Sequence, residues 1–290
     1  MRSSPVWAAD VSPLVDLGTR KFWRALGRPV DLTGEHAWLR APTSAGPVVR
    51  DGWLAAEAAL HDGYVEEAAP GAGLLASMAD LDGPGFRAAD LLPQVREFYE
   101  HTADWQVEVW SSWAPWAWPG GELVSRLFGK RVQQLALPMR PMDVAQGMDS
   151  RVSVIRDHAG NQVASGWLRT LRATGEYVFS GCYSSRTLPG VDRPSVHVAF
   201  PLESGNVQVF LRPQVQPDGS LLLESPSGPF GGDGAYVVVE DGGATYASRM
   251  PVHETFHVHV DDRGVLRTDH LLRLQGATAM RLHYKLLPPA

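Results

Sequence analysis

The chain has 290 residues, 44% of them hydrophobic, with a formal net charge of −6 and one cysteine, Cys182. That apolar content is ample for a core without covalent staples. The acidic balance speaks against a nucleic-acid partner, because phosphate binding requires a basic face, and a lone cysteine excludes an internal disulfide or a CxxC metal knuckle. The N-terminal Met1-Arg2-Ser3-Ser4-Pro5-Val6-Trp7 lacks the apolar run of a secretory signal, and no long apolar stretch follows, so a soluble, cytoplasmic protein with no membrane partner is expected.

Ser12-Pro13 reads as an N-cap followed by proline at the first helical position. Leu14, Leu17, Phe22 and Leu26 then recur at helical spacing up to a stop at Gly27. Residues 35–85 are mixed: Trp53 to Leu60 is helix-prone, while Ala37 to Arg40 and Gly63 to Glu67 fit short strands. Asp90 is expected to cap a helix from Leu91 to His101, with Leu91, Leu92, Val95, Phe98 and Tyr99 on one stripe. A shorter helix is expected over Glu122 to Lys130, where Lys130 beside Arg131 reads as solvent-exposed.

From about Trp105 the hydrophobic period becomes two. Strands are expected at 105–111, 132–139, 151–157, 162–172, 177–185, 195–203, 206–214, 219–225, 234–240, 244–249, 252–261, 265–274 and 278–286. No helical crossovers separate them, so the pairing should be antiparallel. The reading is one α+β domain over 1–290, with a mixed, partly helical portion (1–104) packed on an antiparallel β portion (105–290). That β portion is expected to be a large β-barrel or a strongly curved sheet, lipocalin-like or calycin-like in general form.

Five of the ten tryptophans lie within fourteen residues, at Trp105, Trp110, Trp113, Trp116 and Trp118. Such an excess marks a core plug or the lining of a cavity, and these residues are the expected substrate wall. Tyr177, Phe179 and Tyr183 alternate along another strand and are expected to extend it.

Two short loops make the C-terminal meander legible. Asp262-Arg263-Gly264 places Asp261 opposite Val265, and Gln275-Gly276-Ala277 places Leu274 opposite Thr278. One face then carries Glu254, Phe256, Val258, Thr268, His270, Leu272, Met280, Leu282, Tyr284 and Leu286. His270 has Phe256 and Leu282 as direct neighbours. A histidine and a glutamate on an apolar face are either satisfied core groups or a proton donor and acceptor in a cavity, with Tyr284 and Thr268 orienting the ring or holding a substrate oxygen. The opposite face aligns His257, Asp269 and His283 in one row. Metal-ligand chemistry is available there, but Arg267, Arg273, Arg281 and Lys285 on the same strip favour a solvated, ion-paired face.

The glycine-rich Pro226–Gly234 segment lacks the lysine and following helix of a P-loop, and there is no GxGxxG after a strand, no GxSxG and no HExxH. Neither a cofactor nor a metal is expected. The architecture resembles, in general form alone, the lipocalin-like and small β-barrel cyclases of bacterial polyketide pathways. That resemblance implies a cofactor-independent enzyme that folds a hydrophobic polyketide-like or lipid-like small molecule in a tryptophan-lined pocket and promotes cyclisation or isomerisation. His270, Glu254 and Tyr284 would be its catalytic residues, and Phe256, Thr268 and Tyr177 would join the tryptophans in binding. The alternative is a non-catalytic carrier or sensor of the same ligand class. A homodimer packed through the tryptophans is a third arrangement.

Overall fold

Period-two hydrophobicity becomes strand almost wherever it occurs in the computed structural model, which describes residues 12–117, 147–172 and 174–288. The strands are β1 (Arg28–Pro29), β2 (Tyr64–Glu66), β3 (Gln106–Trp113), β4 (Met148–Arg156), β5 (Gln162–Leu171), β6 (Tyr177–Thr187), β7 (Pro194–Leu202), β8 (Gly205–Val215), β9 (Leu221–Glu224), β10 (Gly234–Asp241), β11 (Ala244–Arg249), β12 (Val252–Val260), β13 (Leu266–Leu274) and β14 (Ala277–Leu287). The expected helix at Glu122–Lys130, the strand at 132–139 and Trp118 lie outside the described residues.

Helix α1 (Ser12–Leu26) ends as expected, with the Gly27 N–H donating to the Trp23 carbonyl. Helix α2 (Leu54–Ala59) falls in the alanine-rich stretch, whereas Ala37–Leu39 is a short helical turn instead of the expected strand. Helix α3 (Pro93–Glu100) begins later than the Asp90 cap implied: Asp90 closes a separate turn, Ala88–Asp90, and Pro93 occupies the first helical turn. Proline sets the start because its missing N–H would be unpaired there in any case. Val95, Phe98 and Tyr99 form its buried side.

Every strand ladder among the described residues is antiparallel, and the main path runs β2-β4-β5-β6-β7-β8-β9-β12-β13-β14-β3. Strand β8 belongs to three ladders: residues 205–211 pair with β7, Gly205–Phe210 also pairs with β10, and residues 212–215 pair with β9. Among the described residues the sheet is not closed, so the barrel entertained from the strand count is not formed by them, and a strongly curved sheet describes it only loosely. Closure would need the free flank of β4, and part of that flank, Val154–Arg156, is taken by β2.

The two faces of β4–β7 are both buried. One packs against α3 and the C-terminal strands through Val152, Val154, Trp167, Val196 and Val198. The other receives α2 and the preceding loop, where Trp53 and Leu54 meet Ala164, Leu168 and Cys182. Gly166 makes this possible, since a Cβ there would lie 2.5 Å from Leu54 Cδ2. Cys182 is a buried thiol, its pKa held well up by burial.

The β12–β13 hairpin has the expected register, with the Asp261 N–H donating to the Val265 carbonyl at 2.9 Å. The β13–β14 turn differs by one residue. Gln275 (φ 49°) and Gly276 (φ 86°) form a two-residue loop with both positions left-handed, so Leu274 faces Ala277 instead of Thr278. A bulge at Leu272/Arg273 absorbs the difference and restores Leu272 opposite Met280 and His270 opposite Leu282. The faces assigned from sequence for residues 280–286 therefore hold.

Candidate functional site

The inner face of the sheet lines an open-mouthed cavity of about 150 Å³. One wall comes from β5–β8, the other from β12–β14, and α3 contributes Phe98 and Tyr99. Alternation along each strand explains the lining: β12 sends in Glu254 and Phe256, β13 sends in Thr268, His270 and Leu272, and β14 sends in Met280, Leu282, Tyr284 and Leu286. Five residues singled out in the sequence, Glu254, Phe256, Thr268, His270 and Tyr284, thus meet around one space.

His270 lies flat on Phe256, with ring centroids 3.8 Å apart and planes 17° from parallel. It is 8% exposed, and neither of its ring nitrogens has a hydrogen-bond partner. Its Nε2 is 3.7 Å from Glu254 Oε1, close enough for an electrostatic pairing and too long for a hydrogen bond. An unsatisfied buried polar atom costs about 1–3 kcal/mol, so two on one ring mark a group that the fold has left open.

Arg169 was not anticipated. It is 6% exposed, lines the cavity, and its Nε has no hydrogen-bond partner. Its guanidinium lies 3.9 Å from the Trp167 ring centroid and about 5.4–5.5 Å from those of Tyr284 and Phe179. Burial lowers its pKa, while the Tyr284 and Tyr183 hydroxyls work in the opposite direction. Withdrawing such an ion from water costs several kcal/mol, against a return of about 0.5–2 kcal/mol from a cation–π contact, so the aromatic ring leaves the charge undercompensated. Burial also pushes the Tyr99, Tyr183 and Tyr284 phenols up, and for Tyr183 and Tyr284 Arg169 pulls against that shift. All three remain neutral hydroxyl groups at physiological pH.

The tryptophan wall is built from other residues than expected. Trp105 is buried edge-on against Phe98 in the core. Trp110 points from the outer side of strand β3 toward His283 and is half-exposed. Trp113 packs with Met280 and Val109 beside the cavity without lining it. Trp116 is exposed in the turn after β3 and donates its indole N–H to the Thr278 carbonyl at 3.0 Å. Among the described residues the indole that lines the cavity is Trp167, flanked by Phe179 and Tyr183.

Tyr177 is also placed elsewhere. A register shift at Arg169/Thr170 pairs Tyr177 with Thr170 but Phe179 with Arg169, so Tyr177 turns to the other face and Val178 joins the cavity. Its hydroxyl donates to Asp51 Oδ2 at 2.9 Å.

On the outer face, the predicted row of His257, Asp269 and His283 is present. His283 Nδ1 lies 2.6 Å from Asp269 Oδ1, Lys285 pairs with Glu108, and Arg267 pairs with Asp261, as a solvated, ion-paired face requires. The set close enough to share a metal contains His259 in place of His283: His257, His259 and Asp269 bring one ligand atom each within 4.8 Å of one another. His257 Nε2 is already engaged, 2.9 Å from Ser220 Oγ.

An open antiparallel sheet around a polar-tipped apolar cavity is the class that fold and site define. No protein-family model and no solved structure matches the chain. Among curated proteins it is 23% identical over 215 residues to the uncharacterized membrane protein YndJ of Bacillus subtilis (strain 168), a match covering 74% of this chain and 38% of that protein. The chain thus spans well under half the length of that relative. Among the described residues, no helix is long and apolar enough to cross a membrane.

Proposed function

We propose that the chain binds a hydrophobic, lipid-like or polyketide-like small molecule in the inner cavity and promotes a cofactor-independent cyclisation or isomerisation on it. The observation that carries this reading is His270, stacked and buried with both ring nitrogens free, 3.7 Å from Glu254. In such a reaction the pair removes a proton from a carbon beside a carbonyl and returns it to another position. The Tyr284 hydroxyl polarises the substrate oxygen, and the apolar walls fix the reacting conformation. The matched Bacillus protein is named a membrane protein, which is in keeping with a ligand drawn from a lipid phase.

A carrier is the second reading. It is favoured by the same gap, since no hydrogen bond orients the imidazole as a general base among the described residues. Titration of intrinsic fluorescence with hydrophobic ketones and lipids, followed by product analysis, separates the two. Saturable quenching with turnover that His270→Ala and Glu254→Gln abolish supports the enzyme. Quenching without turnover, which those variants merely weaken, supports the carrier. A flat response across the panel removes both.

A further inference from the structure

We infer that the cavity selects an anionic amphiphile, a long-chain or polycyclic carboxylate, whose charged end is received by Arg169. The inference rests on the reading of the cavity as a hydrophobic-ligand site and adds the class of ligand.

Arg169 and Trp167 lie two residues apart on β5, so alternation sends both toward the cavity, and the guanidinium folds over the indole at 3.9 Å. That contact occupies a face of the cation. The Tyr284 hydroxyl engages part of its in-plane N–H edge, and Nε on that edge is buried without a partner, which leaves it for recognition. A planar, always-charged fork of donors fits a carboxylate in two parallel hydrogen bonds. The groups that act on its charge among the described residues are the Tyr284 and Tyr183 hydroxyls, and no carboxylate is among them. These neutral phenols have O–H groups to offer the remaining lone pairs of an incoming anion.

Charge balance narrows the head group. One guanidinium neutralises one negative charge, and Glu254 lines the same cavity as a second carboxylate. A phosphate monoester, with a charge of about −1.5 to −2 at neutral pH, would leave an uncompensated excess facing Glu254. The rest of the lining, including Phe179, Val198, Leu223 and Leu282, is hydrocarbon or ring surface that suits an alkyl or polycyclic body.

The test compares dodecanoate, dodecanol and dodecyl phosphate by calorimetry on the unmodified chain, on Arg169→Met and on Arg169→Lys. The unmodified chain should bind dodecanoate at least about tenfold more tightly than dodecanol. Arg169→Met should lose that preference while its dodecanol affinity stays put, and Arg169→Lys should retain part of it. Equal affinity for dodecanoate and dodecanol in the unmodified chain overturns the assignment of Arg169 and leaves the cavity reading intact. Tighter binding of dodecyl phosphate overturns the choice of carboxylate. If none of the three binds, the hydrophobic-site reading falls and takes this inference with it. The comparison on the unmodified chain decides the matter even if Arg169→Met does not fold.

Discussion

Two histidines are buried against phenylalanine rings in this sheet, and the fold completes only one of them. His197 stacks on Phe210 at 4.6 Å, with Nδ1 3.0 Å from Ser184 Oγ and Nε2 2.9 Å from Gln208 Oε1. Gln208 in turn donates to the Leu39 carbonyl and to Asn206 Oδ1, so the network is closed. Burial, with Arg186 adding repulsion, drives the His197 pKa well down, which fixes a neutral ring. His270 makes an even closer stack and has neither nitrogen bonded. Both rings are buried, and opposite satisfaction separates a histidine completed by the fold from one whose nitrogens it leaves unpaired, the one the proposed function uses.

The largest effect that tests this contrast is on stability. His197→Ala removes a partner from both Ser184 and Gln208 and opens a void, so it should cost about 3 kcal/mol in urea denaturation. His270→Leu should fall within about 1 kcal/mol of the unmodified chain, because it deletes unsatisfied polar atoms and keeps apolar bulk. If His270→Leu proves the more damaging of the two, the ring has a structural partner and the contrast collapses.

Acid titration gives the next effect. A histidine whose folded pKa is depressed contributes stability that is present above its unfolded value, near pH 6.5, and is lost as pH falls toward the folded pKa. Stability should therefore decline below about pH 6.5 by up to about 1.4 kcal/mol per pH unit, and His197→Gln should flatten that segment. Asp51 and Asp261, whose pKa values are lowered from 3.8, affect stability only in a more acidic window. A decline unchanged in His197→Gln would assign the proton elsewhere.

The smallest effect is optical. Trp167→Phe should remove most of the ligand-induced fluorescence change, and Trp110→Phe should leave it intact with stability altered by no more than about 0.5 kcal/mol. The reverse pattern would return the ligand to the 105–118 segment.

What the sequence made legible follows from where parity could be anchored. In the meander, the Asp262–Gly264 loop and the alternation after it sorted Glu254, Phe256, Thr268, His270 and Tyr284 onto one side, and even a mis-sized turn was corrected by the bulge at Leu272/Arg273. Strand β5 offered no such anchor. Ala164, Gly166 and Leu168 on one face and Trp167 with Arg169 on the other are all buried, so nothing distinguished the cavity side. Tyr177 was misassigned because the register shift at Arg169/Thr170 breaks the alternation on which its placement relied. The tryptophan cluster misled for a related reason. Its density suggested a wall, but strand β3 turns Trp110 outward and its two flanks place Trp105 in the core and Trp116 at the surface.

The membership of β8 in three ladders has a consequence for how the molecule breathes. Because Gly205–Phe210 is laddered to β7 and β10, while the following residues hold β9 and through it the C-terminal meander, β8 joins the two walls of the cavity among the described residues. Among the described ladders, spreading of the walls under the proposed function would flex that strand between Phe210 and Arg212. Hydrogen exchange should find the amides of 205–210 among the slowest in the chain and those just beyond the fork quickened, with a bound ligand slowing the latter selectively.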